Sequence, residues 1–147
     1  MHMKNIEHIA LGVHMVAFLF AISNIAVADW KGLTWLRGRV ATLPAKTMRH
    51  LHNHVWFGLI LLVLSGGVLF SFHIDELLVS TAFFVKLGCL VVAIINGLYI
   101  RRHMSVSFEM PFASLAPRQQ MALKVSGIIS TIAWLGIVGV ASFILPE

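Results

Sequence analysis

The chain has 147 residues, of which 59% are hydrophobic and only 12% charged, and its mean hydropathy is +0.88. A soluble domain carries about twice that charged fraction, so the composition excludes an ordinary soluble fold. The net charge is +5, and the single cysteine, Cys89, excludes a disulfide within the chain.

Four long apolar windows separated by polar segments predict four transmembrane helices. Three of the windows contain no charged residue, and the third along the chain contains only Lys86. Each has the roughly 18 to 25 residues with which a helix crosses ~30 Å of hydrocarbon, and none shows the alternation of a barrel strand. We therefore predict an all-α fold, an integral membrane antiparallel four-helix bundle that forms one domain over 1–147. The predicted helices span about residues 6–28, 49–72, 77–100 and 118–145.

The first helix leads into a polar segment that starts near the membrane surface. Trp30 and Trp35 follow the apolar window and suit the interfacial aromatic belt. "IAVAD" (25–29) resembles a signal-peptide cleavage site, but "MHMKNIEH" lacks the basic start of such a peptide, so we expect this helix to remain a span. The segment 29–46 is too polar to cross, and we expect it to lie along the membrane, partly helical.

The second helix begins with "TMRHLHNHVWFGLILL" (47–62), which places three histidines on alternate positions. His50 and His54 are four residues apart and share a helical face, a spacing at which two imidazoles can bind one metal ion, whereas His52 points away. We interpret His50 and His52 as interfacial residues and His54 as the candidate ligand facing the bundle. The His54 face continues through Gly58, Leu61 and Ser65.

The remaining helices are joined by one short and one longer connection. "SFHIDEL" (71–77) predicts a tight turn between helices 2 and 3, and helix 3 ends at "LYIRR" (98–102). Pro111 and Pro117 interrupt the next loop, and Pro117 fits the first turn of helix 4.

Basic residues are concentrated on one side of the predicted bundle. The side that holds the two longer loops carries nine of them, whereas Lys4 is alone on the side of the termini. The positive-inside rule makes the basic side cytoplasmic, so we expect a bacterial inner-membrane protein with both termini in the periplasm. The basic loops then face anionic lipid headgroups and require no nucleic-acid partner. They contain Lys31, Arg37, Arg39, Lys46, Arg49, Arg101, Arg102, Arg118 and Lys124.

Polar residues inside the spans are candidate sites because they are expensive to place in lipid. Lys86 should either face the bundle interior or extend toward the outer surface. His14 is either a ligand or a hydrogen-bonding core residue, and His8 lies about 240° from it around the helix, too far for the two to share a site easily. The other intramembrane polar candidates, which could bond neighbouring helices or line a polar path, are Asn24, Asn96 and Ser65.

Haem b is the cofactor that such a bundle could hold, since it needs neutral imidazoles in a gap between helices. An outer site would use His8 or His14, which are also the candidate metal ligands, and an inner site would pair His54 with His103. Copper or zinc could also bind at the outer rim. The glycines that could provide gaps are Gly12, Gly58, Gly66, Gly67 and Gly97, and the rim residues are His2, Met3, Glu7, His73, Asp75 and Glu76.

Three segments carry a resemblance to a known class of proteins. "HIALGVHMVAFLFAISN" (8–24), "VWFGLILLVLSGG" (55–67) and "FFVKLGCLVVAIINGL" (83–98) resemble small four-helix bacterial membrane proteins and, more distantly, the HemJ-type protoporphyrinogen oxidases and CopD-like membrane domains. The HemJ type is associated with haem b and uses a histidine early in helix 1 and a lysine early in helix 3. The resemblance implies these roles for His8 and Lys86.

The leading hypothesis is a small integral membrane b-type haem protein that is redox-active or handles porphyrins, with Lys86 orienting an anion such as a propionate. Whether it is an enzyme, and which redox partner it uses, stays open. One alternative is a channel or transport unit of a homo-oligomer, in which Lys86, Asn24 and Asn96 line a polar path. Another is an accessory structural subunit whose polar groups lock the helices together.

Overall fold

The computed structural model describes residues 2–143, with side chains from 3 to 140, and this part of the chain is all-helical. Two short 3₁₀ helices, Met104–Phe108 and Phe112–Ser114, lie between the last two long helices. The α-helices are α1 (His2–Leu36), α2 (Ala45–Phe72), α3 (Ile74–Leu78), α4 (Thr81–His103) and α5 (Pro117–Phe143).

Four of these helices are long and apolar enough to cross a membrane, which confirms the prediction of four spans. Their most apolar windows have mean hydropathies between 1.8 and 2.3. Few of the apolar side chains are covered by protein: Leu19 is 58% exposed, Ile95 62% and Leu135 65%. Apolar surface on this scale requires a lipid environment, so the chain is a multi-pass membrane protein.

The first helix is longer than the apolar pattern predicted. α1 continues through residues 29–36, where the sequence pattern favoured a surface segment only partly helical. It ends at a Schellman motif: Gly38 has φ of 68°, its N–H donates to Trp35 O at 2.9 Å, and the N–H of Arg39 donates to Thr34 O at 2.9 Å. The helix therefore continues through the polar residues and ends where Gly38 adopts a left-handed backbone conformation.

The other helix bounds lie close to the expected ones. α2 begins at Ala45, directly after Pro44, and the predicted turn after it contains the short helix α3. α4 starts at Thr81 because Ser80 caps it, with the Ser80 hydroxyl accepting from the Phe83 N–H at 3.3 Å. Pro117 occupies the first turn of α5 as predicted.

The chain divides into two compact units. Unit 1 comprises Met1–Ala28 and Lys46–Val79, and unit 2 comprises Asp29–Ala45 and Ser80–Glu147. The organisation of 1–147 as a single domain stays a prediction.

Small residues let the two helices of unit 1 approach closely. A Cβ on Gly58 would lie 2.9 Å from Ala21 Cβ and 3.4 Å from Ala17 O. Ala17 and Ala21 are almost fully buried, with 2% and 0% exposure. Helix contacts of this kind gain van der Waals packing because the backbones come near each other.

Unit 2 contains α4 and α5, packed through a similar contact and one polar pair. A Cβ on Gly136 would lie 2.7 Å from Cys89 Sγ, which explains how the half-buried cysteine fits as a small apolar residue. The buried Ser126 hydroxyl donates to Asn96 Oδ1 at 2.7 Å, and Asn96 Nδ2 donates to Ser126 O at 3.0 Å. Asn96 thus has the interhelical bonding role that was one of its two predicted uses.

Unit 2 also contains a folded cap, formed by residues 29–45 together with 104–116. Trp35 Nε1 donates to Met110 O at 3.2 Å, and its ring meets Phe112 edge to face at 5.2 Å. The N–H of Leu43 donates to Ser107 O at 2.8 Å. The polar loops are therefore an ordered element with an aromatic core of its own.

Candidate functional site

His54 and Asn24 form a polar pair between α2 and α1 in unit 1. Asn24 Nδ2 donates to Phe20 O in its own helix at 2.8 Å, so its Oδ1 is left as the acceptor for His54 Nδ1 at 3.3 Å. The neutral imidazole of His54 then carries its proton on Nδ1, which leaves a lone pair on Nε2. Within the described chain, Nε2 of this exposed imidazole has no hydrogen-bond partner.

An apolar groove of about 400 Å³ lies beside this pair. It is linked to the pair through Phe20, whose ring lies 5.6 Å from the imidazole of His54 and 6.3 Å from the ring of Phe57. The groove is open on one side and contains no polar lining group. It is lined by Gly12, Val13, Val16, Ala17, Phe20, Phe57 and Leu61. Unit 1 therefore combines an available imidazole nitrogen with apolar space.

The neighbouring histidines of the opening motif are arranged as the helical spacing predicted. The rings of His50 and His54 are 6.5 Å apart, centre to centre. His52 accepts a hydrogen bond at Nε2 from Trp56 Nε1 at 3.1 Å, one turn along the same helix. This hydrogen bond occupies Nε2 of His52, and the interfacial role of His52 stays a prediction.

His14 has a different environment, inside the contact between α1 and α2. Its Nδ1 lies 2.9 Å from the hydroxyl of Ser65, and that hydroxyl donates to Leu61 O at 2.6 Å. His14 Nδ1 is therefore the donor to Ser65. A Cβ on Gly66 would lie 3.3 Å from the imidazole Cε1, so the glycine makes room for the ring. The geometry favours the hydrogen-bonding core role over the ligand role for His14.

The other predicted ligands do not gather around one point in the described residues. His8 is exposed and bonds through Nδ1 to Lys4 O in its own helix at 2.6 Å. His103 bonds in the same way to Tyr99 O at 2.9 Å and stacks on the Tyr99 ring at 4.2 Å. Lys86 is half-buried on α4. Lys86 and His103 belong to unit 2, so their pairing with the histidines of unit 1 stays a prediction.

Three residues that the sequence offered as possible copper or zinc ligands, Glu7, His73 and Glu76, form an ionic cluster in unit 1. His73 Nε2 lies 2.9 Å from Glu7 Oε1, and its Nδ1 lies 3.4 Å from Glu76 Oε2. The hydrogen bond to Glu7, with the charges of both carboxylates, raises the pKa of His73 above its usual 6.5. Across residues 2–143, no three histidine, cysteine, aspartate or glutamate side chains are placed to hold a metal ion together.

Two pairings that matter here had no signal in the sequence. Asn24 and His54 are 30 residues apart, and Glu7 and His73 are 66 apart. Each of the four residues could be recognised as a polar candidate, but only the helix register decides which ones meet.

No family model matches this chain, and no curated protein or solved structure is significantly similar to it.

Proposed function

We propose that this chain is a small membrane-embedded b-type haem protein whose haem-binding site is the apolar groove of unit 1, with His54 as the axial ligand. The observation that carries the proposal is the hydrogen bond from His54 Nδ1 to Asn24 Oδ1 next to that groove. This hydrogen bond leaves the lone pair of Nε2 available to a metal, and Nε2 is the atom through which histidine usually binds haem iron.

The residues of unit 1 fit such a group in three ways. Asn24 holds the imidazole in one tautomer and makes Nε2 a stronger donor, as outer partners of metal-binding histidines do. The apolar walls of the groove exclude water and give the low polarity that a porphyrin ring requires. The Phe20 ring contacts both the imidazole and the groove. A bound haem would supply one-electron redox chemistry, and the protein sets its potential through the ligand and the surrounding polarity.

The resemblance to HemJ-type proteins supports an accessory role for His8 and Lys86. In this proposal His14 is structural, and Lys86, which belongs to unit 2, pairs with an anion. The half-burial of Lys86 within a span supports that role, because an ammonium group there gains from a negative partner.

We further propose an antiparallel bundle in the bacterial inner membrane with both termini in the periplasm. Contacts in unit 1 support antiparallel pairing, because Glu7 meets His73 whereas Asn24 meets His54. The concentration of basic residues in the two longer loops supports a cytoplasmic location for them.

The test of the haem site compares three variants with the wild type. The full chain is purified from haem-replete cells, and haem per chain is measured together with the affinity for added hemin. His54→Ala should remove nearly all bound haem. Asn24→Leu should weaken hemin binding roughly 10–100-fold, because His54 loses the hydrogen bond that orients its imidazole. His14→Ala is the matched control, an imidazole removed from the same helix pair, and it should retain haem.

Two outcomes would overturn this assignment. If His54→Ala kept full haem and His14→Ala lost it, the ligand would be His14. If no variant and no wild-type sample bound hemin, the chain would not be a haem protein.

A second candidate function is an accessory structural subunit. It is favoured by the two polar pairs within helix contacts, Asn96 with Ser126 and His14 with Ser65. A structural role predicts a colourless protein in which neither the wild type nor any variant binds haem. It also predicts that Asn96→Leu lowers the stability.

A further inference from the structure

The cap of unit 2 and the helix ends beside it carry a marked excess of positive charge. This part of the chain contains seven basic and only two acidic residues. All five of its arginines are exposed. The basic residues are Lys31, Arg37, Arg39, Arg101, Arg102, Arg118 and Lys124, and the acidic ones are Asp29 and Glu109.

The α4–α5 contacts place three of these arginines at one end of unit 2. Asn96 of α4 meets Ser126, whereas Cys89, earlier in α4, meets Gly136, later in α5. The end of α4 and the start of α5 therefore lie at the same end of the helix pair. Arg101, Arg102 and Arg118 lie there by their positions in α4 and α5.

The cap brings the other two arginines to the same end. Trp35 bonds to Met110 O, and the N–H of Leu43 bonds to Ser107 O, so the segment between residues 35 and 43 lies against the α4–α5 connection. Arg37 and Arg39 belong to this segment, on either side of the glycine that ends α1.

The cap is ordered enough to hold these charges in place. Trp35 and Phe112 are 3% and 7% exposed, and the ammonium of Lys124 lies 5.5 Å from the centre of the Phe112 ring. Because the backbone on both sides of Gly38 is hydrogen-bonded, Arg37 and Arg39 extend from a fixed turn. Less entropy is lost when a ligand binds to side chains on such an ordered surface.

We propose that the cap and the five arginines on and beside it form a binding surface for the phosphate headgroups of anionic phospholipids. The protein retains these lipids as specific ligands. Guanidinium groups form paired hydrogen bonds with phosphate oxygens. The cap lies at the ends of two spans, where headgroups are found, and Trp30 within the cap is 63% exposed, as expected of an interfacial anchor. Charge complementarity and this position favour a lipid headgroup over a soluble anion.

The experiment uses the full chain in detergent and follows thermal unfolding by tryptophan fluorescence. Phosphatidylglycerol or phosphatidylcholine is added to the micelles, and the lipid retained after repurification is quantified. Phosphatidylglycerol should raise the Tm and be retained preferentially. In R37Q/R39Q most of this preference should disappear, by about fivefold in apparent affinity for each arginine.

The matched control is K46Q/R49Q, which removes the same charge from the start of α2 in unit 1 and should keep the preference. If R37Q/R39Q does not fold, R101Q/R102Q tests the same surface. Equal losses in both double variants would mean diffuse attraction and overturn the proposal. So would equal effects of the two lipids, or a rise in Tm with inorganic phosphate alone that matches the rise with phosphatidylglycerol.

Discussion

His54 and His14 occupy the same pair of helices, and their hydrogen-bond partners give them different chemical uses. Asn24 accepts from His54 Nδ1 beside an apolar groove, whereas His14 bonds to Ser65 within the helix contact. The sequence indicated His54 as a candidate ligand, because it shares a helical face with small and apolar residues. It left His14 as either a ligand or a hydrogen-bonding core residue. Its environment depends on the register of two helices, which no local pattern specifies.

The cluster of His73 with Glu7 and Glu76 should make stability depend on pH. Its raised folded-state pKa means that the folded chain holds a proton on His73 more tightly than the unfolded chain does. The contribution of protonated His73 to the free energy of unfolding is fully present below its unfolded-state pKa near 6.5. It is lost as the pH rises through the raised folded-state pKa. We expect the Tm of the detergent-solubilised protein to fall over that interval.

Glu7→Gln tests the cause of this pH dependence. It removes the carboxylate that contributes most to the shift, so the step in Tm should shrink and move toward pH 6.5. Asp75→Asn is the control, since Asp75 is an exposed carboxylate in the same turn that forms no ion pair with His73. An unchanged pH profile in Glu7→Gln would contradict the account.

At the scale of helices, glycine positions distinguish contact surfaces from open ones. Gly58 and Gly67 both lie in α2, and the sequence offered both as possible gaps. A Cβ on Gly58 would meet α1, whereas a Cβ on Gly67 would meet nothing within 4 Å. The sequence could supply the candidates, but the facing helix decides which glycine is needed.

Gly58→Ala should therefore destabilise unit 1, by about 1–3 kcal/mol, because the methyl group would overlap Ala21 and force the helices apart. Gly67→Ala, the same change two to three turns further on, should be neutral or slightly stabilising. Chemical or thermal unfolding in detergent measures both. Equal destabilisation by the two variants would show that intrinsic glycine effects, and not the helix contact, govern this segment.

At the scale of the whole molecule, composition was sufficient to predict four spans in an all-helical chain, because lipid permits few structures and requires long apolar helices. The cap of unit 2 was not predicted. Its polar segments contain Trp35 and Phe112, which look like interfacial residues until a contact distant in sequence makes them a core. The sequence narrowed the candidate ligands of the proposed haem to a few histidines, and the hydrogen bond to Asn24 favours His54 among them.

The most direct test of haem binding is a reduced-minus-oxidised visible spectrum of the wild-type protein, purified in detergent from haem-replete cells, with haem quantified per chain. If His54 binds a b-type haem, the spectrum shows sharp b-type bands at close to one haem per chain. A colourless protein that also fails to take up added hemin would contradict it, and the polar pairs of the two units would then be structural contacts.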